Sequence, residues 1–246
     1  VFRYRLIPLE SVLNPVDAAA AYLRASTELR APTLLDVQEE AAELLLKPSG
    51  EFPREPARKL IERWSGRLAQ IAIAARRSTC DWGYPIQEQR EEIIHVLIPD
   101  VQELRGWARL LALKARLAIL DGRFEEASET LQTGLAMARH VAEGPFLINA
   151  LVGVAIAEQM FGLVEEWIAA PGSPNLYWAL SALPRPLISL RKSMEYEQKL
   201  GEWMIPALAD AERARSAVEW RATGERLHAQ LRRLEATLAS VGSIDT

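Results

Sequence analysis

The sequence predicts an all-α fold of stacked antiparallel helical hairpins, and three observations carry that expectation. Apolar residues recur at helical spacing in nearly every long segment, and the usual breakers, Pro and Gly, fall between those segments. Strict alternation is confined to the start, where Phe2, Tyr4 and Leu6 alternate with Arg3 and Arg5. With 246 residues, 49% hydrophobic and 25% charged, the chain has enough apolar material to bury a substantial core. The expected organisation is a single helical domain over residues 1–246. It has an extended N-terminal arm over 1–14 and a C-terminal helix within 207–246 that packs on the body or on a partner.

After the arm, Asn14 caps a first helix that opens with Pro15, carries Asp17 near its positive end and stops before Pro32. Thr33 and Asp36 form a capping pair for a second helix, "LLDVQEEAAELLLK", and "PSGEFPREP" separates it from a third, "ARKLIERWSGRLAQIAIAARR". The turn "CDWGYP" leads to "IQEQREEIIHVLI", after which Pro99 resets the chain. A hairpin follows. Trp107, Leu110, Leu113, Leu117 and Leu120 make one stripe, and Phe124, Ala127, Leu131, Leu135 and Ala138 make the other. Gly122 sits between them, where a left-handed helix end suits glycine. A further helix starts at Pro145 and ends before "APGSP", and a short one covers residues 175–183, with Ser173 as cap and Pro174 at its first position. Pro184 and Pro186 break the chain. Two polar helical stretches, interrupted near "MIPAL", finish it.

Within the hairpin, "DGRFEEASETLQTGLAMA" resembles the turn and second helix of a tetratricopeptide repeat, with Gly122, Phe124 and Ala127 in the places that let two helices pack closely. Arg139 stands where such a repeat usually turns at proline, and no second copy follows at the expected spacing of about 34 residues. The resemblance therefore implies an irregular, tetratricopeptide-like α-solenoid. The longer succession "CDWG", "LRGWARLLALKARL", "GRFEEA", "ARHVAEGP" and "NLYWALSALPRPL" resembles an uncharacterised family of helical proteins from planctomycete bacteria. That likeness supplies no activity. It implies an exported or periplasmic protein that has lost an N-terminal signal, which would account for a start at Val1.

Composition narrows the function classes. Lys plus Arg number 29 against 33 Asp plus Glu, a net charge of −4, so no global basic field draws in nucleic acid or anionic lipid. The single cysteine, Cys80, excludes an internal disulfide framework. The most apolar run, residues 145–168, is interrupted by Asn149, Glu158 and Gln159, and it reads as a buried helix of a soluble protein, with no membrane span expected.

Chemistry has little support. Cys80 beside Asp81 lacks a glycine-rich elbow or a Cys/His signature, so a small buried thiol is the expectation. Glu92 precedes His95, and Glu225 precedes His228, by three residues, the spacing of Glu-x-x-His pairs in di-iron bundles. Because the further inward glutamates of that motif are not evident, two solvated helix pairs are expected and metal is the weaker alternative. The paired acids at 39–40, 91–92, 125–126 and 165–166 point about 100° apart on a helix and cannot flank a bond. No Gly-rich phosphate loop occurs. No catalytic residue, metal or cofactor is expected.

The proline-rich corner at 173–192 is the best surface candidate. Leu176, Leu180 and Leu183 line one face of its short helix, Tyr177 flanks that face and Trp178 points away, with Arg185 close behind. Such a helix is sandwiched between layers or displays its aromatic. In a helical array the sandwich is commoner, so packing is expected first and recognition second. With Trp82 and Tyr84 of the "CDWGYP" turn, Tyr177, Trp178 and Arg185 make the partner-binding candidates. The expected role is a non-catalytic scaffold that binds another protein or a second copy of itself. The alternative is a metal-dependent or other enzyme whose site is assembled from several helices, using Asp81, His95 or His140.

Overall fold

The computed structural model describes residues 3–26, 31–83, 93–204 and 216–242. In chain order it contains a 3-10 turn at Glu10–Val12, strand β1 (Asn14–Asp17), helices α1 (Ala19–Ser26) and α2 (Ala31–Leu45), and a 3-10 turn at Ser49–Glu51. Then come α3 (Arg54–Arg63), α4 (Ser65–Ala75), β2 (Arg77–Thr79), α5 (Ile93–Leu120), α6 (Phe124–Ala142) and α7 (Leu147–Ala169). The last elements are α8 (Tyr177–Ser181), α9 (Arg191–Met204) and α10 (Ala217–Gly242). Helix predominates, so the fold is all-α in class, with one two-stranded parallel ribbon among the described residues.

The hairpin of α5 and α6 forms where the two apolar stripes require it. Gly122 adopts φ +69, its N–H bonds Ile119 O at 3.0 Å, and the next N–H, on Arg123, reaches back to Ala118 O at 2.8 Å. This paired closure satisfies two carbonyls at the end of α5 and needs a left-handed residue at its centre, which glycine supplies without Cβ strain. Asp121, beside the turn, accepts from Arg54 at 2.7 Å, Arg58 at 3.3 Å and Arg123 at 3.0 Å, which ties α3 to the hairpin corner. Leu110, Leu113 and Leu117 on α5 are buried, as are Leu131, Leu135 and Ala138 on α6. Each buried leucine contributes roughly 1.5–3 kcal/mol.

The described chain divides into two compact units, one of Val1–Gly83 with Pro99–Ser193, the other of Tyr84–Ile98 with Met194–Thr246. In the first, α6 and α7 run side by side so closely that a Cβ on Gly153 would lie 2.6 Å from Ala138 O, and one on Gly134 would lie 2.4 Å from Met160 Sδ. Packing of α4 against α1 and α6 completes this core. Trp64 meets Trp107 edge to face at 5.8 Å. The 23-residue α7 is long and apolar enough to cross a membrane by length and composition, and half of its most apolar stretch is buried within the fold. In the second unit, α10 opens with a capping box in which Glu219 N–H bonds Ser216 Oγ at 3.2 Å and Ser216 N–H bonds Glu219 Oε2 at 2.8 Å.

Several sequence expectations are corrected. Asn14 and Pro15 do not open a helix: residues 14–17 pair in parallel with β2, Asn14 opposite Arg77 and Asp17 opposite Thr79, and the helix begins at Ala19. Asp17 is the residue that caps it, Oδ1 accepting from Ala19 N–H at 2.9 Å. Helix α2 starts at Ala31 and includes Pro32, whose missing N–H is harmless in a first turn. The expected third helix is two, because the chain turns at Trp64, where its indole is buried against Trp107 and Ser65 Oγ bonds Glu62 O at 2.8 Å. Pro99 does not reset the chain. It lies inside α5, where it removes one N–H donor and the helix continues.

Candidate binding cavity

The ribbon brings together residues that sequence spacing keeps far apart. Asn14 N–H bonds Arg76 O at 2.9 Å and Ala18 N–H bonds Thr79 O at 2.8 Å, so the entry to α1 lies beside the segment that carries Cys80, Asp81 and Trp82. Asp17 Oδ2 accepts from Asp81 N–H, and Arg77 donates to Asp17 O. The end of α6 packs against this junction.

At its centre Tyr22 Oη lies 2.9 Å from His140 Nδ1, and His140 Nε2 lies 3.1 Å from Arg77 O. A carbonyl oxygen only accepts, so Nε2 carries the proton and Nδ1 accepts from the tyrosine hydroxyl. Burial pushes the His140 pKa down to about 4 and holds the Tyr22 phenol well above its ordinary value. Both imidazole nitrogens are committed, and the ring is neutral at pH 7. Trp82 stacks on Tyr22 at 5.8 Å and its Nε1–H bonds His140 O at 2.9 Å. At 9% exposure Trp82 belongs to the core, which corrects its expectation as a partner-binding residue.

The remaining candidates for acid–base work are equally restrained. Cys80 is buried, and burial raises its thiol pKa, with the carboxylates of Asp17, Glu143 and Asp81 adding to the shift. A protonated thiol is a poor nucleophile. Glu143 accepts the Cys80 N–H at 3.0 Å, and burial raises its own pKa.

A cavity of about 710 Å³ opens next to this cluster. One wall is the N-terminal arm, pinned by Ser128 Oγ and Gln132 Nε2, which both donate to Arg5 O at 2.9 Å, and by Tyr4, which meets Trp167 edge to face at 5.5 Å. A second wall is the last turns of α6, with Arg139, His140 and Glu143. The third is the corner at 178–184, including Trp178 and Leu183.

That corner differs from its expectation. Helix α8 spans five residues, not three turns, and its N-cap position is Leu176, not Ser173; just before it Asn175 Oδ1 accepts the Tyr177 N–H at 2.8 Å. Leu176 and Ala179 are buried, whereas Tyr177 is 62% exposed and Trp178 56%. The expected sandwich is therefore overturned: one face packs, and the two rings, 5.1 Å apart edge to face, are displayed. Arg185 is exposed nearby in sequence.

Tyr84 and Glu92 lie outside the described residues. His95 lies within α5, and Glu225 and His228 are exposed on α10. Among the described residues no group of three or more His, Cys, Asp or Glu is placed to hold a metal ion. Tyr22, Arg77 and Glu143 carry no signal in the sequence, and Asp17 and Arg139 read there only as a helix-start residue and a repeat-pattern departure. The pairing of β1 with β2 and the packing of α6 beside it bring them together. No protein-family model, curated protein or solved structure matches the chain.

Proposed function

We propose that this chain is a non-catalytic helical binding module of irregular, tetratricopeptide-like build, which engages another protein or a second copy of itself through the displayed corner at 177–185. The observation that carries this reading is the aromatic pair Tyr177 and Trp178, both more than half exposed, with Trp178 lining a large cavity. Large exposed aromatics are costly to leave in water and are enriched among the residues that dominate protein interfaces. The chemistry beside them supports binding over catalysis. His140 is neutral with both nitrogens engaged, and the Cys80 thiol is held protonated by burial.

The test is a random-peptide display against the immobilised full chain, together with sedimentation over a wide concentration range. Trp178→Ala is expected to melt within about 1 kcal/mol of the parent, because it is surface-exposed. It should lose the selected peptides or the self-association. Selected peptides that bind the variant equally well, or no enrichment and no self-association at all, remove the reading. Stoichiometric iron, zinc or manganese in the purified protein would instead favour an enzyme.

A further inference from the structure

We propose that the cavity between the N-terminal arm, α6 and the corner at 178–184 is a site for a small amphipathic organic anion, a carboxylate or sulfonate on an apolar body, with Arg139 as its counter-charge. The proposal rests on the cavity itself and goes beyond the protein-partner reading, although Trp178 borders both.

The size fits. About 710 Å³ is within the range of roughly 300–1,000 Å³ typical of small-molecule pockets, most of which combine apolar walls with a few polar groups. Leu9 and Leu13 supply apolar surface from the arm, and Trp178 and Leu183 supply it from the corner.

The charge is lopsided. Arg5, Arg77 and Arg139 line the cavity against the carboxylates of Glu10 and Glu143. Arg77 is engaged with Asp17 O. Arg139 is half-buried on α6 and has no hydrogen-bond or ion-pair partner among the described residues. Opposite charges four apart on a helix can pair, and Glu143, the C-cap of α6, is four residues on from Arg139. Here the Glu143 carboxylate is turned to the Cys80 N–H at 3.0 Å instead, and Arg139 acts on it only through the longer-range attraction that favours its charged form. A guanidinium carries five donors, and on a cavity wall partly shielded from water an entering anion meets a donor set that makes no bond within the described residues. His140 offers no competing charge, since it is neutral and its nitrogens bond within the chain.

Two probes of matched shape test this on the full chain: 8-anilinonaphthalene-1-sulfonate, and its neutral counterpart N-phenyl-1-naphthylamine, followed by fluorescence titration. The wild type is expected to bind the sulfonate at one site and more tightly than the neutral probe. Arg139→Gln should weaken the sulfonate by about tenfold, the loss of one charge-assisted contact, and leave the neutral probe unchanged. Arg139→Lys should restore most of the difference. Ala182→Trp, which fills the cavity from an exposed position on its rim, should weaken both probes. Melting curves establish that each variant folds. If Arg139→Gln does not fold, the sulfonate preference of the wild type and its loss in Ala182→Trp decide the matter. An Arg139→Gln chain that binds the sulfonate like the wild type, an equal loss of both probes, or no sulfonate binding to the wild type overturns the proposal. None of these outcomes bears on peptide capture by the aromatic corner.

Discussion

Tyr22 and His140, 118 positions apart, share a buried hydrogen bond of 2.9 Å in which the hydroxyl donates to Nδ1. The bond joins α1 to the end of α6, and it fixes the imidazole as the Nε2-protonated tautomer because the other nitrogen faces Arg77 O. Removing the donor leaves a buried acceptor unmet, so Tyr22→Phe is expected to cost about 1–3 kcal/mol in urea denaturation. Nitrogen chemical shifts of the His140 ring report the tautomer directly.

The same histidine makes stability depend on pH. Its folded pKa, about 4, lies below the unfolded value of about 6.5, so between those limits the unfolded chain binds more protons than the native one. The stabilisation is fully present above about pH 6.5 and is lost as the pH falls through that window. Glu143 opposes it, because its raised pKa favours the native state below about 4.5 and that contribution is lost as the pH rises. In Glu143→Gln, where the opposing group is gone, unfolding free energy should fall by about 2 kcal/mol from pH 7 to pH 5. Replacing His140 by Gln as well should abolish most of that fall.

The hairpin at Gly122 is a stability centre. Leu117 is 3% exposed, and Leu117→Ala should cost about 2–5 kcal/mol if the surrounding core does not collapse. Gly122→Ala tests the turn alone. A Cβ there meets no neighbour, so the cost is the left-handed conformation, about 1–2 kcal/mol. A neutral result at either position in denaturant titration would show that this corner does not hold the fold.

The contact of α6 with α7 depends on a missing side chain. At Gly153 a Cβ would sit 2.6 Å from Ala138 O and 2.8 Å from Ala142 Cβ, so Gly153→Val must push the helices apart. A loss of about 1–3 kcal/mol or more is expected. Gly162→Ala, on the same helix with open space around its Cβ, is the control and should be neutral or slightly stabilising.

Arg116 joins three segments from a buried position. It donates through Nε to Glu166 at 2.9 Å, through Nη1 to Leu45 O at 2.7 Å and through Nη2 to Ser49 Oγ at 3.3 Å, and its guanidinium lies over the Phe52 ring at 5.1 Å. Arg116→Met keeps the stem and removes the donors. It should cost about 2–3 kcal/mol, less than a fully buried ion pair because Glu166 is one-third exposed to water. Thermal melts at low and high salt separate the screened ion pair from the unscreened bonds to Leu45 O and Ser49.

The sequence by itself determined the helical class, the hairpin and the helix that follows it, because each rests on local information. Stripes at helical spacing, a glycine at the left-handed position of the hairpin turn and Pro145 just before the next helix mark these elements within a few turns of chain. Residues 14–17 show where that information ends. Asn14 and Pro15 carry a good helix-start signal, yet they form a strand because β2, some sixty residues on, offers hydrogen bonds that no local pattern announces. Trp64 splits an apolar stretch that reads as one helix, since its burial against Trp107 outweighs continued helical bonding. The cavity is decided the same way. Its aromatic, Trp178, was legible as the residue pointing away from its helix's apolar face, but whether another layer would cover it was not. Its charged wall depends on Glu143 turning to Cys80, a choice made when α6 packs beside the ribbon. Periodicity fixes which face of a helix is apolar, and only tertiary packing fixes what that face and the opposite one meet.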